Sequence, residues 1–242
     1  MSTGYFHTEV VHNYSAAREV VPLVMSLVNP ASVLDVGCGI GTWLKVFEEN
    51  GIQDYLGVDG KYVDLVKLKI PASQFYTSDL NKPLYLNRKF DLVLSLEVAE
   101  HIEEKSAEVF IESLLRHGDV HLFSAAIPGQ LGQNHINEQW PEYWEKKFAK
   151  FGFYFHDVIR PEIWNNERVD FWYRQNIFLV KKEKPSGREI SPMSMVHPRL
   201  FELTKRNEKE YIQSLLAGRQ GIRMSIGILF KAIMFKIRNL LN

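Results

Sequence analysis

The sequence predicts an α/β fold in which a mostly parallel sheet carries helices on both faces. Short apolar, β-branched runs alternate with segments of helical periodicity, and this alternation is typical of parallel sheets. The clearest strand, FDLVLSL at 90–96, is almost wholly apolar, as expected when both faces of a sheet are covered. The 242 residues, 45% hydrophobic and 24% charged, suffice for one globular domain with a sizeable core.

The predicted elements alternate along the chain. The first helix covers 15–28 and ends before Asn29-Pro30, a stop signal. Further helices are predicted at 42–50, 105–116 and 140–151, and strands at 32–36, 55–58, 75–77, 90–96, 120–126, 153–159 and 171–180. We expect the last two strands to be an antiparallel pair at the edge of the sheet.

The charges divide the chain into two parts. Formal net charge is zero, yet 1–180 hold 16 basic and 24 acidic residues, whereas 181–242 hold 13 and 5. The breaker run KPSG at 184–187 lies near this boundary. We therefore predict a domain at 1–184 and a basic helical extension at 185–242, with helices near 198–217 and 222–241. The acidic domain argues against a nucleic-acid partner.

The last predicted helix carries four basic residues and no acidic one. On a helical wheel Arg223, Lys231 and Arg238 lie near one another, whereas Lys236 departs from that face. Such a helix either lies on an anionic membrane or docks on a protein surface. That surface would be the acidic domain or a second subunit, which would make a homodimer.

The sequence also bears on the compartment. The single cysteine, Cys38, excludes an intrachain disulfide and fits a reducing compartment. The amino-terminal residues show neither the basic nor the apolar region of a secretory signal. No uncharged run reaches the roughly 18 apolar residues of a membrane span. We expect a cytoplasmic protein, with a peripheral contact at the inner membrane if the basic helix binds lipid.

A glycine loop follows the first strand in VLDVGCGIG at 33–41. Gly37, Gly39 and Gly41 allow the backbone to turn sharply and to approach a ligand closely. The dinucleotide fingerprint G-x-G-x-x-G would need a glycine where Thr42 stands. The spacing therefore argues against an NAD-dependent oxidoreductase.

Three acidic residues stand at the ends of successive strands. Asp35 precedes the loop, where a carboxylate would repel a pyrophosphate but favour a sulfonium or an amino group. Asp59 ends the second strand, 22 residues after Gly37, where an acid can accept both ribose hydroxyls. Asp79 follows the third strand and could accept a hydrogen bond from an adenine amino group. These acids favour S-adenosylmethionine (SAM) as the ligand.

The ordered motifs resemble the motif series of class I SAM-dependent methyltransferases. VLDVGCGIG is followed by GVDG, SDL and FDLVLSLEVAEHI, and the series covers roughly residues 30–130. The resemblance implies a Rossmann-like fold whose seven-stranded sheet has one antiparallel strand. The cofactor-binding residues that it implies are Asp35, Gly37, Gly39, Asp59, Asp79, Leu80 and Leu96. An N-terminal segment often covers the cofactor in this family, so Arg18 is predicted to reach the cofactor's carboxylate.

A second cluster follows the fourth strand, in the run EVAEH at 97–101. The spacing places Glu97, Glu100 and His101 on one face of a helical turn, at the sheet edge where ligands bind. His135 follows the fifth strand and opens onto the same edge. Two carboxylates with imidazoles can hold a divalent metal or exchange protons.

This cluster resembles that of metal-dependent methyltransferases acting on the terminal ribose of small RNAs, and that of ubiquinone-pathway O-methyltransferases. The first resemblance implies Glu97, Glu100, His101 and His135 as ligands of Mg²⁺ or Mn²⁺. Two other interpretations stay open. In one, the catalytic residues are His101 or His135 as general base, with Glu97 beside them; in the other, the cluster only shapes the substrate pocket.

Aromatic and amide side chains follow the fifth strand and suit a sugar-like or hydroxylated ligand. They are Trp140, Tyr143, Trp144, Trp164, Asn165, Asn166 and the run WYRQN at 172–176. Arg160, Arg168 and Arg174 suit a phosphate or carboxylate on that ligand. The pattern IPGQ…HINEQWPEYW…FGF also resembles methyltransferases of bacterial polysaccharide and natural-product clusters.

These observations predict an enzyme that transfers a methyl group from SAM to a hydroxyl of a small polar acceptor. The expected acceptor is a sugar or a capsule or polysaccharide modifier. An N-methyltransferase acting on a small amine and a non-catalytic SAM-binding partner subunit are the two alternatives.

Overall fold

A central sheet of seven strands organises the chain, which the computed structural model describes over residues 14–185, 194–219 and 221–240. The strands are β1 (Ser32–Val36), β2 (Asp54–Asp59), β3 (Phe75–Thr77), β4 (Leu92–Leu96), β5 (Val120–Ser124), β6 (Tyr154–His156) and β7 (Phe178–Lys181). The helices are α1 (Ser15–Val28), α2 (Thr42–Glu49), α3 (Ala107–Arg116), α4 (Pro141–Ala149), α5 (Arg160–Ile163), α6 (Phe171–Asn176), α7 (Pro198–Leu216) and α8 (Ile222–Leu240).

The strand order is β3-β2-β1-β4-β5-β7-β6, and only β7 runs antiparallel to its neighbours. Strand β1 pairs with β2 on one side and with β4 on the other, so the winding direction reverses at β1. The crevice outside the carboxyl ends of β1 and β4 is therefore the switch point at which open α/β sheets bind ligands. The predicted Rossmann-like, mostly parallel fold with seven strands is confirmed.

Two apolar clusters lie on the two faces of the sheet. Val33 belongs to the first cluster and Leu34 to the second, as the alternation of side chains along a strand requires. Helices α1 and α2 cover the first cluster, where the Phe47 side chain is fully buried. Helices α3 and α4 cover the second, in which the ring of Phe123 lies 5.2 Å from that of Phe148 at a steep angle. The buried faces fix the sheet and hence its ligand-binding edge.

One predicted strand is wrong in its first half. Residues 171–180 were expected to be extended, but Phe171–Asn176 is helix α6 and only Phe178–Lys181 is strand. The N–H of Arg174 donates to the carbonyl of Asp170, as in a helical turn. Aromatic residues favour strands locally, and tertiary contacts of the buried Gln175 and Asn176 override that preference.

The described chain divides into two compact units that meet between His197 and Pro198. The N–H of His197 donates to Oε1 of Gln175 at 2.7 Å, so His197 belongs with the first unit. The predicted boundary after residue 184 stays a prediction. The second unit consists of α7 and α8, close to the two predicted helices. No helix among the described residues is long and apolar enough to cross a membrane.

Candidate active site

The glycine loop connects β1 to α2 with an unusual backbone. Gly37, Gly39 and Gly41 have φ angles of 91°, 55° and 83°, a region that other residues rarely adopt. A Cβ on Gly37 would lie 2.3 Å from a methyl group of Val98, and one on Gly41 would lie 2.8 Å from Ile70. The close approach of neighbouring side chains thus explains why this loop requires glycine at both positions.

Asp59, at the end of β2, holds the loop in place. Its Oδ2 accepts a hydrogen bond from the N–H of Gly39 at 2.6 Å. Its Oδ1 accepts from the N–H of Gly60 and from the hydroxyl of Tyr62, each at 2.6 Å. The Tyr62 ring also lies against Gly60, whose Cβ would come within 2.2 Å of it. Sequence reasoning missed Tyr62, although an aromatic residue three positions after the acid was visible.

Asp35, at the end of β1, is a buried carboxyl group. Burial first, and then the negative charge of Asp59, raise the pKa of Asp35 to about 8. Among the described residues, neither carboxylate has a lysine or arginine as an ion-pair partner. Two neighbouring buried acids without such a partner fit a cationic ligand such as SAM and would repel a phosphate. The glycine cradle and these acids therefore fit the predicted cofactor.

Other predicted cofactor residues lie around the same edge. The N–H of Ser78 donates to the carbonyl of Asp59, which brings the following Asp79 to the end of β3. The Asp79 carboxylate accepts from the N–H of Asn81 at 3.1 Å and remains half exposed. Leu80 and Leu96 are both buried in the apolar clusters beside the loop. The structure brings these residues to one edge, as the sequence predicted.

Arg18 lies on the surface of α1, and its predicted contact with the cofactor stays a prediction. Its guanidinium is exposed and lies 3.7 Å from the carboxylate of Glu49, at the carboxyl end of α2. The glycine loop lies at the other end of this eight-residue helix, about 10 Å away. The sequence pattern alone did not reveal this contact with Glu49.

Glu97 begins the second cluster in a strained conformation, with φ at 54°. Its Oε2 accepts from the side-chain amide of Gln130 at 2.6 Å, and its Oε1 accepts from that of Asn176 at 3.1 Å. Burial raises the pKa of Glu97, and these two hydrogen bonds act in the opposite direction. Gln175 extends this buried amide network, since its amide donates to Oδ1 of Asn176 at 3.0 Å.

Glu100 is the most unusual side chain of the site. It is fully buried, and neither carboxylate oxygen has a hydrogen-bond partner among the described residues. Burial, followed by the nearby charge of Glu97, raises the pKa of Glu100 well above its ordinary value. The backbone N–H groups of Glu100 and Ala126 act in the opposite direction without forming a full hydrogen bond. A buried carboxylate so poorly supplied with donors is costly unless a proton or a cation compensates it.

Two histidines face this carboxylate. The rings of His101 and His135 lie 4.9 Å apart and almost perpendicular, and Nε2 of His135 lies 4.0 Å from Oε1 of Glu100. Nδ1 of His101 donates to the carbonyl of Asn134 at 3.2 Å. Burial is the main cause that lowers the pKa of His101, so its neutral form prevails at neutral pH.

Glu138 organises the loop that carries His135. Its Oε1 lies 2.8 Å from Nδ1 of His135 and accepts that proton, which leaves the lone pair of the neutral ring on Nε2. The same carboxylate accepts from the N–H groups of Gly129 at 2.8 Å and Leu131 at 3.0 Å. Gly132 touches the ring as well, because a Cβ there would lie 2.1 Å from Nε2. Sequence reasoning missed Glu138, although the spacing H-x-x-E was visible.

The structure brings together three of the four predicted metal ligands. One ligand atom each from Glu100, His101 and His135 lies within 4.8 Å of the others. Ligands about 2.1 Å from one ion lie at most about 4.2 Å apart, so a bound ion would draw these side chains slightly closer. Glu97 is not part of this group, and its predicted role as a ligand stays a prediction. The helical turn covers only Ala99–His101, and the left-handed backbone of Glu97 turns its carboxylate to the amides.

The predicted acceptor-binding side chains divide into core and surface. Trp144 is 1% exposed and packs in the core, whereas Trp140 is 39% exposed at the end of the His135 loop. Arg160 is buried against Asp157, so it is not placed for an acceptor phosphate. Arg168 lies on the surface, 3.2 Å from Glu19. Trp140 follows the His135 loop along the chain, and Tyr173 lies close enough to Glu97 for the charge of that carboxylate to help raise the Tyr173 pKa, after burial.

Comparisons with known proteins show the family and the fold of this chain. Residues 11–157 match a family model described as a methyltransferase domain. The sugar N-methyltransferase KedS8 from Streptoalloteichus sp ATCC 53650 is similar in structure, with 16% identity, a TM-score of 0.55, and coverage of 76% of this chain and 99% of its own. CalS10, an amino pentose methyltransferase from Micromonospora echinaspora, is also similar, with 15% identity and a TM-score of 0.54. The match covers 76% of this chain and 100% of CalS10. No curated protein is significantly similar to the sequence.

Proposed function

Because this chain belongs to the class I SAM-dependent methyltransferases, we propose that it methylates a hydroxyl group of a small, sugar-like acceptor. The observation that carries the proposal is the convergence of Glu100, His101 and His135 at the carboxyl ends of β4 and β5. A hydroxyl is a poor nucleophile until its proton is removed, and this cluster supplies groups suited to that task. The half-exposed Trp140 offers an apolar face to a sugar ring.

The transfer itself is an in-line displacement. The acceptor oxygen forms a bond to the methyl carbon while the bond from that carbon to sulfur breaks, and the electron pair stays on sulfur as a neutral thioether. Asp35 and Asp59 lie at the cofactor edge, where their charges favour the sulfonium form. Their role is to bind and orient the cofactor so that the methyl group faces the acceptor.

Two ways of removing the hydroxyl proton fit the residues. In the first, Glu100, His101 and His135 hold Mg²⁺ or Mn²⁺, which when bound lowers the pKa of a nearby hydroxyl. The buried Glu100 carboxylate without a hydrogen-bond partner favours this version. Glu138 would then orient His135 by accepting the proton on Nδ1, as carboxylates commonly do for metal-binding histidines.

In the second version no metal takes part, and His135 is the general base. The lone pair on its Nε2 accepts the hydroxyl proton, and Glu138 stabilises the resulting imidazolium through Nδ1. This version is favoured by the short contact between His135 and Glu138. It leaves Glu100 protonated, in agreement with its raised pKa.

The test is a turnover assay with SAM and a panel of monosaccharides, nucleotide sugars and amino sugars, run with chelator and with added Mg²⁺ or Mn²⁺. Metal-dependent turnover of hydroxylated acceptors would support the first version. Chelator-resistant turnover that falls about 10²–10⁴-fold in His135→Asn would support the second. Glu100→Gln should reduce turnover in either version, and Glu112→Gln, on the exposed side of α3, is its matched control.

Two results would contradict hydroxyl methylation. Turnover of amino sugars alone, unchanged in His135→Asn, would assign the acceptor as an amine, because a neutral amine needs no base. SAM binding without turnover of any acceptor would instead indicate a non-catalytic SAM-binding partner subunit.

A further inference from the structure

The last helix, α8, combines positive charge with exposed apolar surface. It spans Ile222–Leu240, contains four basic residues and contains no acidic one. Nine of its large apolar side chains are 44% to 79% exposed: Ile222, Met224, Ile226, Ile228, Leu229, Phe230, Ile233, Met234 and Phe235. So many exposed apolar residues on one helix mark an interaction surface.

The residues of α8 are arranged in sectors around the helix axis. Five of these nine apolar residues, Ile222, Ile226, Leu229, Phe230 and Ile233, share an arc of about 100° on one side; the other four, Met224, Ile228, Met234 and Phe235, lie outside it. Three of the four cations, Arg223, Lys231 and Arg238, occupy the adjoining arc. Long basic side chains at the border of an apolar arc can keep their charged ends in water while the apolar side chains enter an apolar medium.

We propose that α8 lies in the surface of an anionic lipid bilayer, with its apolar arc among the acyl chains and its cations at the headgroups. An anionic bilayer surface complements both features of α8: its negative headgroups attract the cations, and its acyl chains accept the apolar side chains. A second copy of α8 would bring like charges together, and an acidic protein surface would neutralise the cations but leave the apolar arc in water. The proposal does not depend on the identity of the methyl acceptor.

The experiment uses the full chain and sedimentation with vesicles of phosphatidylcholine alone or of phosphatidylcholine with phosphatidylglycerol. We expect binding to the anionic vesicles only, weakening as salt is added because the charge attraction is screened. Replacing Arg223, Lys231 and Arg238 together by glutamine should lower the partition coefficient roughly a hundredfold. Replacing Phe230 and Ile233 together by serine should lower it at least about tenfold without changing the net charge.

The matched control removes the same number of positive charges from α7. Lys205, Arg206 and Lys209 are exposed on α7, and their triple replacement by glutamine should leave vesicle binding within about twofold of the wild type. Absence of binding to anionic vesicles would overturn the proposal, as would equal losses in the two triple variants. A concentration-dependent dimer, lost on replacing Phe230 and Ile233, would assign α8 to a second copy instead.

Discussion

Asp35 offers the sharpest test of the cofactor site, because its ionisation should be coupled to SAM binding. Burial and the nearby Asp59 raise the pKa of Asp35 to about 8 in the ligand-free protein. If the positively charged cofactor binds the ionised carboxylate, binding must release the proton that Asp35 carries below that pH. Below about pH 8, the apparent dissociation constant should then fall about tenfold for each unit by which the pH rises.

The measurement is calorimetric titration with SAM at about pH 6 and about pH 7, in buffers of different ionisation enthalpy. We expect roughly tenfold tighter binding at the higher pH and the release of close to one proton. Asp35→Asn should bind more weakly at the higher pH and lose the pH dependence. Asp119→Asn, an exposed aspartate at the start of β5, should keep it.

An affinity of the wild type that does not change over this range, with no proton released, would refute the reasoning about Asp35. It would mean either that the carboxyl group is already ionised in the ligand-free protein or that the cofactor does not approach it. The same slope in Asp35→Asn would assign the proton to another group.

Further predictions concern the same site. The pKa of Asp35 is raised in the folded protein, so the stability that this group contributes is full below about pH 4 and is lost as the pH rises through about 8. Asp35→Asn should therefore raise the melting temperature of the ligand-free protein more at high pH than at low pH. Gly37→Ala should destabilise the fold by several kcal/mol and abolish SAM binding. Gly51 has a similar φ but open space where a Cβ would lie, so Gly51→Ala should cost about 1–2 kcal/mol and preserve binding. Thermal denaturation with and without SAM measures both effects. Gly132→Ala should displace the His135 ring and reduce turnover at least about a hundredfold with little change in melting temperature; unchanged turnover would contradict the placement of that ring.

The sequence predicted the sheet because parallel strands with both faces buried leave a strong local pattern. The runs SVLDV and FDLVLSL, the glycine loop and the acids at strand ends each follow from short-range requirements. The helix at 171–176 was not predictable in this way, since its aromatic composition favours a strand. Only the buried contacts of Gln175 and Asn176 decide its conformation.

The site shows the same division. Glu100, His101 and His135 were predicted from their positions after strands, which meet at one edge of any parallel sheet. The partners that orient them were not, because Glu138 and Gln130 act through loop geometry and through hydrogen bonds over sequence distances that no periodic pattern records. For the same reason Glu97, grouped with Glu100 by spacing, lies with the amides instead.

The sequence by itself therefore determined the architecture, the glycine loop and the edge of the sheet at which the candidate site lies. These features depend on periodicity, on glycine backbone freedom and on the parallel winding of the chain. Only the tertiary structure decided which side chains face one another, because the direction of a side chain depends on loop conformation and on packing with distant residues. That is why Glu100, His101 and His135 lie together without Glu97, and why Arg18 lies beside Glu49.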